Sequence, residues 1–522
     1  MGGPQFERLI DAPKWYAQHT PDAPVTWFEG VETTYAALDA AADTYAHALV
    51  AAGVEKGDRV AVLSTPRPSF LIAMLGIQRA GAVYVGINPS YTRREQLHVL
   101  NDSEPVLLLS IGSFAGRDHA DEMAALLPDV PSLRGCYRLG DGPAVGPLRA
   151  EAELLAGASS ASVLPPVDPL DAAALVYTSG STGTPKGALL PHLGLVYGAL
   201  TDAESMNDCF GPGEVPRVAC NLPTNHIGCI VDVVGCTMVS GGMVAFLERF
   251  DPDEMLQLIE ELHLTNLQHV PTVLQILTQM PAFTTRDLSS LRVVAWGGAA
   301  LPIDIVRVYR AMGVHLQTVY GQTEIISNAT WSRAGSTDEA LAATVGEINP
   351  HADVRLVDDD GNDVADGMEG EVWYRHPSQF LGYINNPEAT ARTVTADGFV
   401  RTGDIAIRRP DRNIVLVGRK SDMYKSGGLN VYPREVELEL EDHPAVALAA
   451  IVGVPDDKYG EVGVAFVVRN PGAVVTIEEL TEWCRARVAG YKVPKRFEVR
   501  DELPLLPIGK VDKPALKALA RA

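Results

Sequence analysis

The stretch Tyr177-Thr178-Ser179-Gly180-Ser181-Thr182-Gly183-Thr184-Pro185-Lys186-Gly187 gathers hydroxyls, glycines and one lysine into a single short run. Glycines let backbone N–H groups curl into an anion-holding nest. Ser and Thr hydroxyls add donors, and Lys186 adds a point charge. These are the parts of a loop for phosphate oxygens. The run is not a P-loop: that signature, G-x-x-x-x-G-K-[ST], opens a helix. Here Lys186 continues through Gly187 into Ala188-Leu189-Leu190, which reads as a strand. The plain alternative is a flexible Ser/Gly linker, but a linker rarely lies between two apolar strands, here 172–176 and 188–190.

The chain has 522 residues and a formal charge of −23. That length predicts at least two domains. The acidic balance argues against a nucleic-acid partner, so any anionic ligand must be held by local positive charge. Six cysteines, at 136, 209, 220, 229, 236 and 484, form no C-x-x-C pair. They read as buried thiols of a reducing, cytoplasmic compartment. The polar opening, Met1 to Leu9, is not a secretory leader, and Phe6 breaks a myristoylation pattern. The longest apolar stretch, 227–247, is interrupted by Asp232 and Ser240-Gly241-Gly242 and reads as core, not as a membrane span.

The elements that must position the loop follow a β-α-β rhythm. Strands at 59–63, 82–87 and 105–110 alternate with helices at 69–80 and 93–100, after a helix capped by Thr34. Residues 111–168 read as an irregular surface region. The rhythm resumes with strands at 217–222, 243–247 and 266–270 and helices at 227–239 and 253–263, with Asp251 as a cap. Similar spacing predicts two stacked α/β subdomains with a ligand crevice at the strands' carboxyl ends. A third unit runs from strand 292–296 through Gly297-Gly298-Ala299-Ala300 and helix 302–312 to strand 315–320. From about 344 short strands and Asp/Gly turns predict a β-rich region. After Gly418 there is room for a small α+β domain. The predicted fold is therefore α/β: a large domain over 1–418, and a mobile C-terminal domain over 419–522 on a hinge.

YTSGSTGTPKG resembles the signature loop of the adenylate-forming enzymes, which include acyl-CoA synthetases, luciferase and peptide-synthetase adenylation domains. The pattern over nearly the whole chain is closest to the acyl-CoA ligases. Pro223-Thr224-Asn225-His226-Ile227-Gly228 resembles the segment flanking the acyl site, which makes His226 a pocket-wall candidate; a structural histidine is the alternative. Gly297, Gly298 and Ala299 resemble the loop lining the acyl and adenine pockets, or else simply open a helix. Tyr320-Gly321-Gln322-Thr323-Glu324 is similar to the family's Y-G-x-T-E. The likeness implies that Tyr320 stacks on adenine, Gly321 leaves room for the acyl group, Thr323 bonds a phosphate and Glu324 holds Mg²⁺. Asp404, in Thr402-Gly403-Asp404, would take the ribose hydroxyls beside Arg419, the alternative being a plain turn. The stretch 418–437 resembles the crossover between domains, with Ser421 where relatives often carry Lys or Asp. Lys425 would serve the second half-reaction, beside Gly427 and Gly428. Lys510, in Pro507-Ile508-Gly509-Lys510, would be the catalytic lysine of the first.

The resemblance implies attack of a carboxylate on ATP, giving acyl-AMP and pyrophosphate, then transfer to the thiol of coenzyme A. A carrier-protein phosphopantetheine, an amine, an unusual inorganic acid as substrate, and a non-catalytic binding protein are the alternatives. The acid itself is left open. Trp296, beside Gly297-Gly298, either shortens the acyl pocket or faces the core. The basic run 491–497 either draws in the anionic cosubstrate or is a soluble turn. Monomer and homodimer are both compatible with the sequence.

Overall fold

The computed structural model describes residues 5–159, 163–178, 185–505 and 511–521. Contacts divide the chain into two compact units. The first runs to Val354 and takes in Tyr374–Val400; the second holds Arg355–Trp373 and the chain from Arg401 onward.

Two sheets form the frame of the first unit. The seven-stranded sheet has the order Gly382–Tyr383, Lys186–Pro191, Ala172–Thr178, Val83–Ile87, Arg59–Leu63, Leu107–Ser110, Gly135–Arg138. The five strands from Ala172–Thr178 to Gly135–Arg138 are parallel, and Lys186–Pro191 is antiparallel to both its neighbours. Val83–Ile87 is buried along its whole length, as expected of a parallel strand covered on both faces, which reads as an unbroken apolar run. The nine-stranded sheet runs Glu347–Ile348, Asn328–Trp331, His315–Gly321, Val293–Gly297, Asn266–His269, Arg217–Cys220, Met243–Phe246, Pro24–Phe28, Val31–Thr34. Over it, Met255, Leu274, Val306 and Tyr309 from three helices build one continuous core.

Both predicted caps form. Thr34 accepts from Ala37 N–H at 3.2 Å, and Asp251 from Asp253 and Glu254 N–H at 3.0 and 3.1 Å. Three features differ from the sequence reading. The region 111–168 contributes a helix, His119–Leu126, and the edge strand Gly135–Arg138. The helix expected over 227–239 begins as a π-helix, Gly228–Gly235, and tightens to an α-turn, Cys236–Val239. The N-terminal Pro24–Phe28 joins the second sheet beside Met243–Phe246, a long-range pairing that no local pattern announces.

In the second unit the order is Asp353–Val357, Glu369–Arg375, Val400–Arg408, Ile414–Arg419, with the unit boundary cutting the first three strands. A five-stranded sheet follows, centred on Gly460–Arg469. Alternate residues of Val446–Asp456 feed two cores. Ala449 and Ile451 pack with Val436 and Leu440, while Ala450, Val452 and Val454 pack with Leu516 and Ala520. Helices thus cover both faces of this sheet. Contacts group 355–373 and 401–418 with the C-terminal chain, whereas the expected hinge near 419 concerns motion.

One polar seam crosses the first unit's interior. Asn328 Nδ2 donates to Asp202 Oδ1 at 2.6 Å, and Asp232 shares a side-chain hydrogen bond with Asp202. Burial drives both carboxyls above the ordinary range, Asp232 to about 7. A carboxyl whose folded value is raised stabilises the fold most below its unfolded value, about 3.9, and loses that contribution as pH rises through the folded one. Wild-type Tm should therefore fall between pH 5 and pH 8.5. Asp202→Asn, which mimics the protonated acid, should flatten that fall; thermal unfolding at the two pH values checks it.

Candidate active site

The strands on either side of the phosphate-loop candidate, Ala172–Thr178 and Lys186–Pro191, pair antiparallel. Thr178 and Lys186 face each other across antiparallel strands, which settles strand–loop–strand over strand–loop–helix. Ser179, Gly180, Ser181, Thr182, Gly183 and Thr184 lie outside the described residues. The shoulders of the turn are fixed from the helix Arg93–Ser103 and its end. His98 Nε2 lies 2.8 Å from the Pro185 carbonyl oxygen, and Tyr177 donates its hydroxyl to Asp102 Oδ2 at 2.8 Å.

At the mouth of this hairpin the structure gathers four side chains. Glu324, 9% exposed, follows the strand His315–Gly321 in a short 3-10 turn. Its Oε1 accepts from Tyr383 OH at 2.7 Å and from Thr178 Oγ1 at 3.4 Å. Lys186 Nζ lies 5.0 Å from the centroid of the Tyr383 ring. Main-chain bonds lock the arrangement: Phe380 N–H to the Glu324 carbonyl at 2.9 Å, and Ile384 N–H to that of Gly187 at 2.9 Å. Among the described residues both side-chain hydrogen bonds to Glu324 fall on Oε1, which leaves Oε2 able to bind a cation.

The other predicted positions fall on several elements. Tyr320 is buried and Gly321 exposed at the end of the same strand; Thr323 is buried next to Glu324. Gly298 and Ala299 are exposed in the turn after Val293–Gly297, whose last residue, Gly297, is half-buried. Trp296 is 1% exposed and packed among Leu274, Leu301 and Val306, its indole N–H without a partner among the described residues. Of its two readings, the core placement is the one observed. Along this strand Val294 and Trp296 enter the helix-covered core, and Val293 and Ala295 face the opposite side.

His226 is half-buried and accepts from Gly228 N–H through Nδ1 at 3.0 Å. Its segment is clamped to the first sheet. Tyr84 OH donates to the Thr224 carbonyl at 3.1 Å, Thr224 Oγ1 to that of Ser64 at 2.9 Å, and Asn225 Nδ2 to Tyr91 OH at 2.9 Å. The two sheets thus meet at the carboxyl ends of their strands, where open α/β sheets bind ligands.

In the second unit, Asp404 is buried and its Oδ1 accepts from Arg419 Nε at 3.0 Å, across a cross-strand pair. Lys420 is tied to Asp359 at 2.8 Å and Glu371 at 3.3 Å. Lys425 is exposed on a hairpin whose two turn residues, Gly427 and Gly428, have φ of 62° and 84°; a two-residue turn with positive φ at both positions favours glycine. Lys510 lies outside the described residues, but Leu505 and Val511, which bracket its segment, form a β-bridge. Two of the three cations in the basic run 491–497 are paired with carboxylates outside it: Lys492 with Glu435 at 2.6 Å and Arg496 with Glu498 at 3.2 Å. That favours the soluble turn over an anion lure. Sequence reasoning missed Tyr383, His98 and Tyr91. Tyr383 sits on a strand of two residues, too short for any periodic signal.

The chain matches the family model "AMP-binding enzyme" over residues 13–384 and "AMP-binding enzyme C-terminal domain" over 435–510. It belongs to the AMP-binding, adenylate-forming enzymes, on the acyl-CoA ligase side of that family. A feruloyl-CoA synthase from Amycolatopsis sp. is 36% identical over 501 residues, 95% of this chain and 96% of the relative. The ATP-bound MatB of Rhodopseudomonas palustris superposes with a TM-score of 0.87 at 30% identity, covering 99% of both chains. The amide bond synthetase McbA of Marinactinospora thermotolerans gives 0.85 at 30% identity, covering 98% of this chain and 99% of that one.

Gly86 marks a close approach of the two halves of the crevice, for a Cβ there would stand 2.6 Å from Asn225 Cα. Neither backbone can yield without moving the His226 segment. Gly86→Ala should cost about 1–3 kcal/mol, the usual range for overpacking, read as a lower denaturant midpoint with unchanged slope.

Proposed function

We propose that this protein is an ATP-dependent carboxylate–CoA ligase working through an acyl-AMP. The observation that carries the reading is the Thr178–Glu324–Tyr383–Lys186 cluster at the turn of the hairpin. A carboxylate resists nucleophiles because its charge repels them and oxide leaves poorly. Attack of its oxygen on the α-phosphorus of ATP breaks the bond to the β-phosphate bridge and releases pyrophosphate. The acyl carbon now carries a good leaving group. Attack by the CoA thiol then forms the thioester and expels AMP, the thiol proton passing to solvent or to a basic group.

Charge builds on phosphate oxygens in the first step. Lys186 and Lys510 meet that charge, together with Thr178, Ser179, Ser181, Thr182, Thr184 and the backbone N–H groups of Gly180 and Gly183. Thr323 adds a donor, Tyr320 lies against adenine, and Asp404 with Arg419 takes the ribose. Gly297, Gly298, Ala299, Gly321 and His226 border the acyl group. The donor set suits Mg²⁺: one poised carboxylate, with no cluster of three or more His, Cys, Asp or Glu among the described residues. Magnesium is commonly bound by one or two carboxylates plus substrate phosphates. Held by Glu324, it would neutralise triphosphate charge.

The acceptor is the CoA thiol, and Lys425 with Gly427-Gly428 serves that second step. Lys510 serves the first. A carrier-protein phosphopantetheine or an amine is the competing acceptor, the latter favoured only by the likeness to an amide bond synthetase. Wild-type protein given Mg·ATP, CoA and a panel rich in aryl acids should exchange labelled pyrophosphate into ATP and form an acyl-CoA. Exchange with no acid at all would refute the reading. Exchange without thioester would move the acceptor to a carrier protein or amine.

The two lysines should separate by half-reaction. Lys510→Ala should lower pyrophosphate exchange by about 10²-fold or more, the worth of one preorganised donor, and leave thioester formation from supplied acyl-AMP within about threefold. Lys425→Ala should do the reverse. Equal loss in both half-reactions for either variant would contradict this division.

A further inference from the structure

We propose that Tyr383 is a positioning residue that holds Glu324 ready for a divalent cation and keeps Lys186 from collapsing onto it; this rests on the ligase reading above. Tyr383 and Gly382 pair with Ala188 and Leu189 at the edge of the seven-stranded sheet. Tyr383 stands directly opposite Ala188, and residues two apart on a strand share a face. Lys186 is therefore the diagonal neighbour of Tyr383 on one face, within reach of a long side chain. Its ammonium lies 5.0 Å from the ring centroid, inside the cation–π range. The same ring carries the hydroxyl that donates to Glu324 Oε1 at 2.7 Å, the length of a charge-assisted bond.

One aromatic side chain thus touches both the cation and the anion of the cluster. Without it, a flexible ammonium and a mostly buried carboxylate that share one aromatic neighbour attract each other strongly. A direct Lys186–Glu324 pair would spend both charges. The lysine would be lost to phosphate and the carboxylate to the metal. The ring engages the ammonium through its face, an interaction weak enough to yield to a triphosphate. The hydroxyl occupies Oε1, and among the described residues no side-chain hydrogen bond falls on Oε2. Thr178, at 3.4 Å, makes a longer bond to the same oxygen and cannot replace it.

The two parts of the side chain separate by substitution. Full-length wild type, Tyr383→Phe and Tyr383→Leu are titrated by calorimetry with a non-hydrolysable ATP analogue, at several Mg²⁺ concentrations and in EDTA. Tyr383→Phe keeps the ring and loses the hydroxyl. It should need about tenfold more Mg²⁺ for half-saturation, the effect of one lost bond to a charged acceptor. Its affinity for the analogue in EDTA should be unchanged. Tyr383→Leu should add a weakening of the analogue in EDTA, because Lys186 is then captured by Glu324. A merely structural tyrosine would lower Tm without moving the Mg²⁺ dependence. Wild-type Mg²⁺ dependence in Tyr383→Phe overturns the proposal even if Tyr383→Leu fails to fold. If wild type exchanges no pyrophosphate with any acid, the ligase reading fails and this proposal with it. If wild type exchanges and Tyr383→Phe titrates like it, only the role of Tyr383 falls.

Discussion

A chain of charge −23 that must hold a triphosphate faces one governing constraint: its positive charge has to be placed, not abundant. At long range such a protein repels polyanions. At short range a single ammonium and a few N–H groups can win, because Coulomb energy rises as distance falls and screening weakens in a crevice. In the proposed reading the hairpin strands that meet at Thr178 and Lys186 answer this constraint. They put Lys186 directly opposite Thr178 and beside Glu324, the residue whose negative charge would be most harmful there without a cation. Among the described residues Glu324 is held by hydrogen bonds and by no basic partner. That is the arrangement expected of a carboxylate kept for a metal ion.

The two sheets make this precision possible. Their strands end at a common crevice, and cross-sheet bonds from Tyr84, Thr224 and Asn225 keep the ends in register. Loops anchored at both shoulders, as His98 and Tyr177 anchor the hairpin, hold groups closer to a productive geometry than free loops do. The seam of Asn328, Asp202 and Asp232 works at a distance. It ties the strand after Glu324 to the helix after the hairpin, so both neighbours of the cluster share one buried support.

The parallel strands were legible in the sequence because burial on both faces leaves a continuous apolar run, as in Arg59–Leu63, observed with the same bounds as expected. The caps at Thr34 and Asp251 were legible because capping chemistry is local. The hidden parts are non-local. Pro24–Phe28 finds its partner more than two hundred residues away, Gly135–Arg138 hides in an irregular stretch, and Gly382–Tyr383 is too short to show a period. The π-helix at Gly228–Gly235 has the same apolar content as an α-helix, and only its hydrogen bonding differs. Trp296 shows the limit of adjacency: it borders Gly297, yet strand alternation turns it the other way. For the site, motif positions marked Glu324 and Lys186, but not the tyrosine that joins them.

The second unit has its own logic. Asp404 and Arg419 form a cross-strand pair, and the ladder runs one step further, with Lys420 N–H bonded to the Gly403 carbonyl at 2.8 Å. Lys420 itself is fixed to Asp359 and Glu371. Sheet pairing resumes only at Tyr424. Between them Asp422 and Met423 bond back to the Arg419 carbonyl in a turn, and Ser421 is exposed with its hydroxyl 3.3 Å from Asp422. A segment that leaves one ladder and has not yet joined the next offers the fewest bonds to break on rotation. The exposed Ser421 adds no ion pair of its own among the described residues. A pivot at this point would therefore be limited less by the residue at 421 than by the Lys513 ammonium, which lies 3.4 Å from Asp422 and 2.8 Å from Glu437 and ties the turn to the last helix.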